Sequence, residues 1–299
     1  MTGQKNKLVG QHTTIGGLEA NYLELNRIDQ QHQNPIHIQA ANGFPIGSYQ
    51  SFIEPFTDRY SIFGLEGRGM WPERGTPTKD ANWQLYADYL IEFLEQANTH
   101  AGKIHKYVGV GHSLGGSVTL IAAIKRPDLF HKLVLIEPAT TPSLFTSFVW
   151  QYLPRIAERS LPLVSRTLLR RKVWSNKTEF IDYHSAKTAF KNCTSQAMQD
   201  YAEYGLIETQ ENDYKLAYST EWEAHNFRQV HYSLGLLAKV SIPTLLLAGT
   251  TSYFYNAYAG QRKRIDRHKF LSLQFLENTG HMVPFENPSG AQKCILDWL

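Results

Sequence analysis

The chain has 299 residues, of which 42% are hydrophobic and 19% charged, and it carries a formal net charge of +3. That balance argues against a disordered chain or a fibrous repeat, and so small a net charge argues against the concentrated basic face of a nucleic-acid binder. Two cysteines, Cys193 and Cys294, allow at most one bridge and suggest neither a disulfide framework nor a metal site, so two thiols in a reducing compartment are expected.

The first residues, MTGQKNKLVGQHTT, hold no apolar run of the kind a secretory signal needs. No stretch approaches the roughly 18 to 20 apolar residues of a membrane span. A cytoplasmic location is the default expectation. The part from about 13 to 40 alternates well enough for a hairpin. Short apolar runs rich in β-branched or aromatic residues then follow at Ile36–Ala41, Tyr60–Leu65, Tyr107–Val110, Lys132–Ile136, Pro243–Ala248 and Phe270–Leu276. Runs of this length suit strands of a mostly parallel sheet buried on both faces. Between them lie helical patterns. Asp80 is a good N-cap for Ala81–Ala97, and Ser117–Lys125 is a small-residue helix ending near Pro127. Strands alternating with helices predict an α/β fold with a doubly wound sheet.

The alternation breaks between 140 and 238, which holds helical patterns, many aromatics and no strand-like run. This stretch is read as a helical cap inserted into a core formed by 1–139 and 239–299. The basic residues near its start, Arg155, Arg159, Arg166, Arg170, Arg171 and Lys172, are read first as a solvated helix face. A membrane-surface or anionic-substrate role is the minority option.

The sharpest local signal is Gly111-His112-Ser113-Leu114-Gly115-Gly116, set between the strand Tyr107–Val110 and the helix from Ser117. A serine on so sharp a strand-to-helix turn is strained, and it needs glycines two residues away to avoid clashes. The turn exposes the hydroxyl at the sheet's C-terminal edge, where open α/β sheets bind ligands.

With this motif the chain resembles the α/β-hydrolase family, and the resemblance runs in order from the strand near 36 to His281. It implies the α/β-hydrolase fold and a Ser-His-acid triad. Asn278-Thr279-Gly280-His281-Met282-Val283-Pro284 follows the last strand and is similar to the family's histidine loop, with Glu286 and Pro288 completing the pattern. His281 would be the base for Ser113, since a serine hydroxyl needs a proton acceptor with a pKa near the working pH. The acid departs from the commonest pattern. The loop after the next-to-last strand, Gly249-Thr250-Thr251-Ser252-Tyr253-Phe254, has no carboxylate, and Asp266 is the next acid downstream. Glu137 ends the strand Lys132–Ile136, 24 residues after the nucleophile, as in a group of family members resembling the haloalkane dehalogenases. Glu137 is favoured over Asp266.

Ala41-Asn42-Gly43-Phe44-Pro45 resembles the family's H-G-x-P turn with Asn42 in place of histidine, which implies the N–H groups of Phe44 and Leu114 as the oxyanion hole. Glu66-Gly67-Arg68-Gly69-Met70-Trp71 resembles the family's D-x-R-G-x-G segment and is assigned a structural role. Asn42, His112, Trp71, Phe148 and Trp150 are the candidate substrate-contact residues. The expectation is hydrolysis of a small-molecule, apolar ester through an acyl-enzyme, without metal or cofactor. The alternatives are a lactonase, thioesterase or C–C bond hydrolase on the same scaffold, a non-catalytic binding protein, and a peripheral membrane lipase. The sequence leaves a homodimer open.

Overall fold

A computed structural model describes residues 8–25, 34–141, 143–152 and 161–299; the side chains of 150–152 lie outside that description. The N-terminal strands β1 (Val9–Ile15) and β2 (Leu18–Leu25) form an antiparallel hairpin. They lead into a sheet completed by β3 (Ile36–Gln39), β4 (Ile62–Leu65), β5 (Tyr107–His112), β6 (Phe130–Ile136), β10 (Thr244–Gly249) and β11 (Leu271–Leu276). The order is β1-β2-β4-β3-β5-β6-β10-β11. β2 pairs antiparallel with β4, and every later neighbour is parallel. The six apolar runs read from the sequence therefore fall on six strands, within two residues at either end.

These runs are continuous because both sheet faces are covered. Leu133, Leu135, Leu246 and Ala248 face one cluster, with Leu90 and Leu94 from the flanking helix. Val134, Ile136, Leu245 and Leu247 face the other, with Val108, Val110 and Ile295. Each fully buried aliphatic side chain contributes about 2 kcal/mol by leaving water. With helices of seven or more residues numbered in order, α1 (Trp83–Ala101) buries Trp83, Tyr86, Ala87, Leu90, Phe93 and Leu94 along one stripe. Its N-cap is Asn82, not Asp80. The Asn82 side chain accepts from the N–H groups of Gln84 and Leu85, and Gly102 closes the other end in the left-handed region. Both residues are good caps, and only the turn at 78–82 selects between them.

α2 (Leu114–Lys125) begins three residues before the expected start, directly at Ser113. Between β6 and β10 none of the described residues joins the main sheet. The described part of that stretch carries α3 (Leu144–Tyr152), α4 (Pro162–Leu168), α5 (Lys177–Ser185), α6 (Ser195–Gly205) and α7 (Thr220–Arg228). It also holds a three-stranded antiparallel sheet, β7 (Val173–Trp174), β8 (Leu206–Glu208) and β9 (Tyr214–Leu216), in the order β7-β9-β8. The expectation of a strand-free insertion is corrected here; strands of two and three residues are too short to leave an apolar run. α8 (Tyr255–Asp266) and α9 (Pro288–Trp298) complete the fold. No described helix is long and apolar enough to cross a membrane.

The segment after β4 is organised by Glu66. Its carbonyl accepts the Trp71 indole N–H at 2.7 Å, and its carboxyl accepts the Ile46 N–H at 3.1 and 3.2 Å. Glu66 is 3% exposed, and burial pushes its pKa up to about 8 from an ordinary 4.5. The folded protein thus holds a proton that the unfolded chain releases. The stability this represents is complete below about pH 4.5 and is lost as pH rises through about 8. Glu66→Gln removes this dependence. Between pH 6 and 9 the wild type should lose on the order of 2 kcal/mol relative to the variant in urea unfolding, whereas parallel profiles would show that Glu66 is ionised in the fold.

Candidate active site

Ser113 is the N-cap of α2 with φ 52° and ψ −117°, a conformation L-residues rarely adopt. Its N–H donates to the Ile136 carbonyl and its own carbonyl accepts the Ala139 N–H, both at 2.9 Å, so the turn is pinned to the end of β6. The glycines are sterically required. A β-carbon on Gly115 would lie 2.2 Å from the Gln39 carbonyl oxygen, and one on Gly111 would lie 2.5 Å from the Gly115 oxygen. Because α2 starts at Leu114, the Leu114 N–H has no acceptor within the helix and sits at its positive end.

The imidazole of His281 lies between Ser113 and Glu137, with Nε2 3.0 Å from Ser113 Oγ and Nδ1 3.1 Å from Glu137 Oε2. Glu137 is fully buried and also has positive φ, 47°. A buried carboxylate must be hydrogen-bonded to be tolerated. Here Oε1 accepts the Gly249 N–H at 2.8 Å and Oε2 accepts the Ser252 hydroxyl at 2.6 Å. With both oxygens acting as acceptors, His281 donates from Nδ1, which leaves Nε2 to accept from Ser113. The loop after β10, which lacks an acid, thus supplies two donors to an acid on β6. Asp266 sits elsewhere, about half exposed on α8 and paired with Arg262.

The histidine loop is held from both sides. The Glu286 carboxylate accepts the Gly280 N–H at 2.7 Å and the Met282 N–H at 3.1 Å, bracketing His281. Gly249 is packed so closely that a β-carbon there would lie 2.0 Å from the Thr279 oxygen. Tyr253 and Phe254 pack on the His281 ring with centroids at 4.7 and 5.3 Å.

Several expected substrate contacts prove to be struts. His112 is 2% exposed, with Nδ1 2.7 Å from the Tyr49 hydroxyl and Nε2 3.0 Å from the His281 carbonyl oxygen. Tyr49 also accepts the Ala41 N–H at 3.0 Å. Tyr49 therefore donates to Nδ1, and His112 donates from Nε2 to the His281 carbonyl. The ring ties the turn after β3 to the histidine loop and has no nitrogen left for a ligand. Asn42 is likewise spent, since its amide donates to the Glu223 carbonyl at 2.8 Å and accepts from Asn226 at 2.9 Å. Trp71 is 1% exposed and lines a pocket of about 30 Å³ with Arg68, Tyr86 and Leu114, which reaches neither Ser113 nor His281. Phe148 is 59% exposed on α3. The Trp150 side chain, Arg155 and Arg159 lie outside the described residues.

The Phe44 N–H lies in the turn after β3, as expected, and donates there to the Ala41 carbonyl at 3.2 Å. An oxyanion at this position would compete with that long bond. Of the remaining basic residues near the start of the insertion, Arg166, Arg171 and Lys172 are exposed, as a solvated face requires, and Arg170 is the exception. Arg170 turns inward to Glu223, Arg171 pairs with Glu179 and Lys172 with Glu221. Sequence reasoning missed Ser252, Tyr49, Glu223 and Asn226. Only Ser252 left a signal: a hydroxyl in the very loop inspected for an acid.

The sequence profile of the Alpha/beta hydrolase family matches residues 42–291. The chain is similar to the uncharacterized hydrolase YugF of Bacillus subtilis (strain 168), 25% identical over 288 residues that cover 96% of each protein. It is also similar to epoxide hydrolase 4 of Homo sapiens, 22% identical over 86% of this chain and 70% of the human protein. Among solved structures, an E-2-(acetamidomethylene)succinate hydrolase superposes with a TM-score of 0.76 at 18% identity, over 97% of this chain and 98% of that one.

Burial holds the His112 pKa down to about 3. In an NMR titration the His112 ring should stay neutral from pH 8 to about 4.5, whereas an unclamped ring would titrate near 6.5.

Proposed function

The chain belongs to the alpha/beta hydrolase family and has its fold, and on that premise we propose that it is a serine hydrolase cleaving a carboxylic ester or related acyl bond. The observation that carries this reading is the unbroken line from Ser113 Oγ through the His281 ring to a buried Glu137. In the proposed mechanism His281 takes the Ser113 proton as Oγ attacks the substrate carbonyl. The tetrahedral oxyanion is stabilised by the Leu114 N–H at the start of α2 and by the Phe44 N–H. Collapse returns the proton through His281 to the leaving alkoxide and yields an acyl-enzyme. Water, deprotonated by the same nitrogen, then releases the acid. Glu137 holds the imidazole in the required tautomer and stabilises its cationic form. Residues 140–238 act as a cap over this site, and the substrate is a small apolar ester.

Alkyl-enzyme chemistry of the epoxide or haloalkane type needs a carboxylate nucleophile, and the elbow residue is a serine. Lactone, thioester and C–C bond hydrolysis remain within reach of the same residues, and a substrate panel separates them. A binding protein has no need for a strained serine next to a histidine acceptor.

The test is turnover of p-nitrophenyl esters from acetate to long chains. Ser113→Ala should lose about 10⁴-fold or more in kcat, and Glu137→Gln about 10²- to 10⁴-fold through the wrong tautomer. Ser252→Ala, which removes one donor from Glu137, should lose about tenfold, and Asp266→Asn should stay within about twofold. Insensitivity to Glu137→Gln would remove the acid from the mechanism. No fluorophosphonate adduct at Ser113 would favour a binding protein.

A further inference from the structure

The turn that carries the Phe44 N–H is gripped by the insertion along three consecutive residues. Asn42 is hydrogen-bonded to the Glu223 carbonyl and to Asn226, both on α7. Asn226 is fixed in turn by the Tyr86 hydroxyl at 2.7 Å. Gly43, with φ +83°, lies directly under the Glu223 carboxyl; a β-carbon there would be 2.7 Å from Glu223 Cδ. The Phe44 ring packs on Tyr201 of α6, centroids 4.6 Å apart. The Glu223 carboxylate is itself held by Arg170, which follows α4, with Nη1 2.7 Å away. Both side chains are largely buried, 16% and 8% exposed.

A desolvated ion pair of this kind is a poor source of stability, because removing two charges from water costs about as much as their attraction returns. Its placement on Gly43 gives it another use. We propose that the Arg170–Glu223 pair positions the 42–44 turn, so that the seating of the insertion sets how well the Phe44 N–H meets the oxyanion. This rests on the serine-hydrolase reading. Glu223 and Arg170 are positioning residues: they act through the backbone of residues 42–44. The pair links α4 to α7, and α7 meets the turn through one side chain, one carbonyl and one van der Waals contact. Displacement of any of these moves the Phe44 N–H relative to Ser113, whose own position is fixed by β6. Ser113 and Leu114 would be undisturbed, so substrate would bind as before and only the charged intermediate would lose a partner.

The experiment compares the double variant Arg170→Met/Glu223→Gln, which removes both buried charges, with Arg170→Lys, which keeps the charge. Readouts are Tm, kcat and KM on the best p-nitrophenyl ester, and the Ki of an alkyl boronic acid, which forms a tetrahedral adduct with a serine nucleophile. The double variant should keep or raise its Tm, hold KM within about twofold, lose at least about tenfold in kcat, and lose boronate affinity by a similar factor. Arg170→Lys, which keeps the charge but loses the fork of donors, should fall between the two, about threefold below wild type in kcat. An unchanged kcat in the folded double variant overturns the proposal. So does a rise in KM with boronate affinity intact, which would mark a substrate contact or a general loss of order. If the double variant does not fold, Arg170→Lys alone decides. Its fork of donors becomes a single point charge, so a loss of about threefold or more in both kcat and boronate affinity is expected, and wild-type values overturn the proposal. Failure of the underlying reading looks different, because Ser113→Ala would then keep its turnover whatever happens at Glu223.

Discussion

Glu137 is a carboxylate with no access to water, and the neighbouring loops are arranged around that fact. An unpaired carboxylate in so apolar a place would be neutralised or expelled. It is retained because three donors converge on it from two other segments: the Gly249 N–H, the Ser252 hydroxyl and His281 Nδ1. Each is fixed by the sheet. Glu137 and Gly249 leave the ends of adjacent parallel strands, and the Glu137 N–H donates to the Leu247 carbonyl at 2.9 Å. A carboxylate at the end of β6 thus reaches the same imidazole that an acid on the next loop would reach, and the loop without an acid becomes the lining that makes the exchange tolerable.

The strain follows the same geometry. Four non-glycine residues have positive φ among the described residues, and three are Ser113, Glu137 and Asn278, the last three residues before His281. Each sits where a strand must turn abruptly to aim a side chain across the sheet edge. Such backbone conformations persist only if their surroundings over-determine them. The struts do so: Glu286 brackets His281, and Tyr49 and His112 join the β3 turn to the histidine loop. A neutral, buried His112 can bridge a hydroxyl and a carbonyl because one nitrogen accepts while the other donates. A protonated ring would have two donors and no acceptor for Tyr49.

This explains what the sequence could reveal. The strands were legible because a sheet buried on both faces leaves short unbroken apolar runs, and the elbow because glycines at 111 and 115 have a steric cause that local spacing reports. Glu137 was legible from its place at a strand end. The struts were not. His112 and Asn42 occupy positions next to the site and carry polar groups, which makes them candidates for ligand contact. Only the three-dimensional partners, 169 residues away for His112 and 181 for Asn42, show that those groups are already used. The small sheet of the insertion escaped notice because pairing of two or three residues is set by tertiary context rather than by pattern.

The two sides of the site are therefore held in different ways. Serine, histidine and glutamate sit on turns between core strands, locked by backbone hydrogen bonds and by glycines with no room for a side chain. The turn carrying Phe44 is fastened to the core through Ala41 and Tyr49, but its outer surface rests on α6 and α7 of the insertion. Contacts formed by side chains of a separate layer yield more readily than those between neighbouring strands, since fewer backbone hydrogen bonds must break for them to shift. Any movement of the insertion would thus reach one proposed oxyanion donor first and Ser113 last. A hydrolase built this way would keep Ser113 and His281 in register while the proposed capacity to stabilise charge followed the state of the layer above.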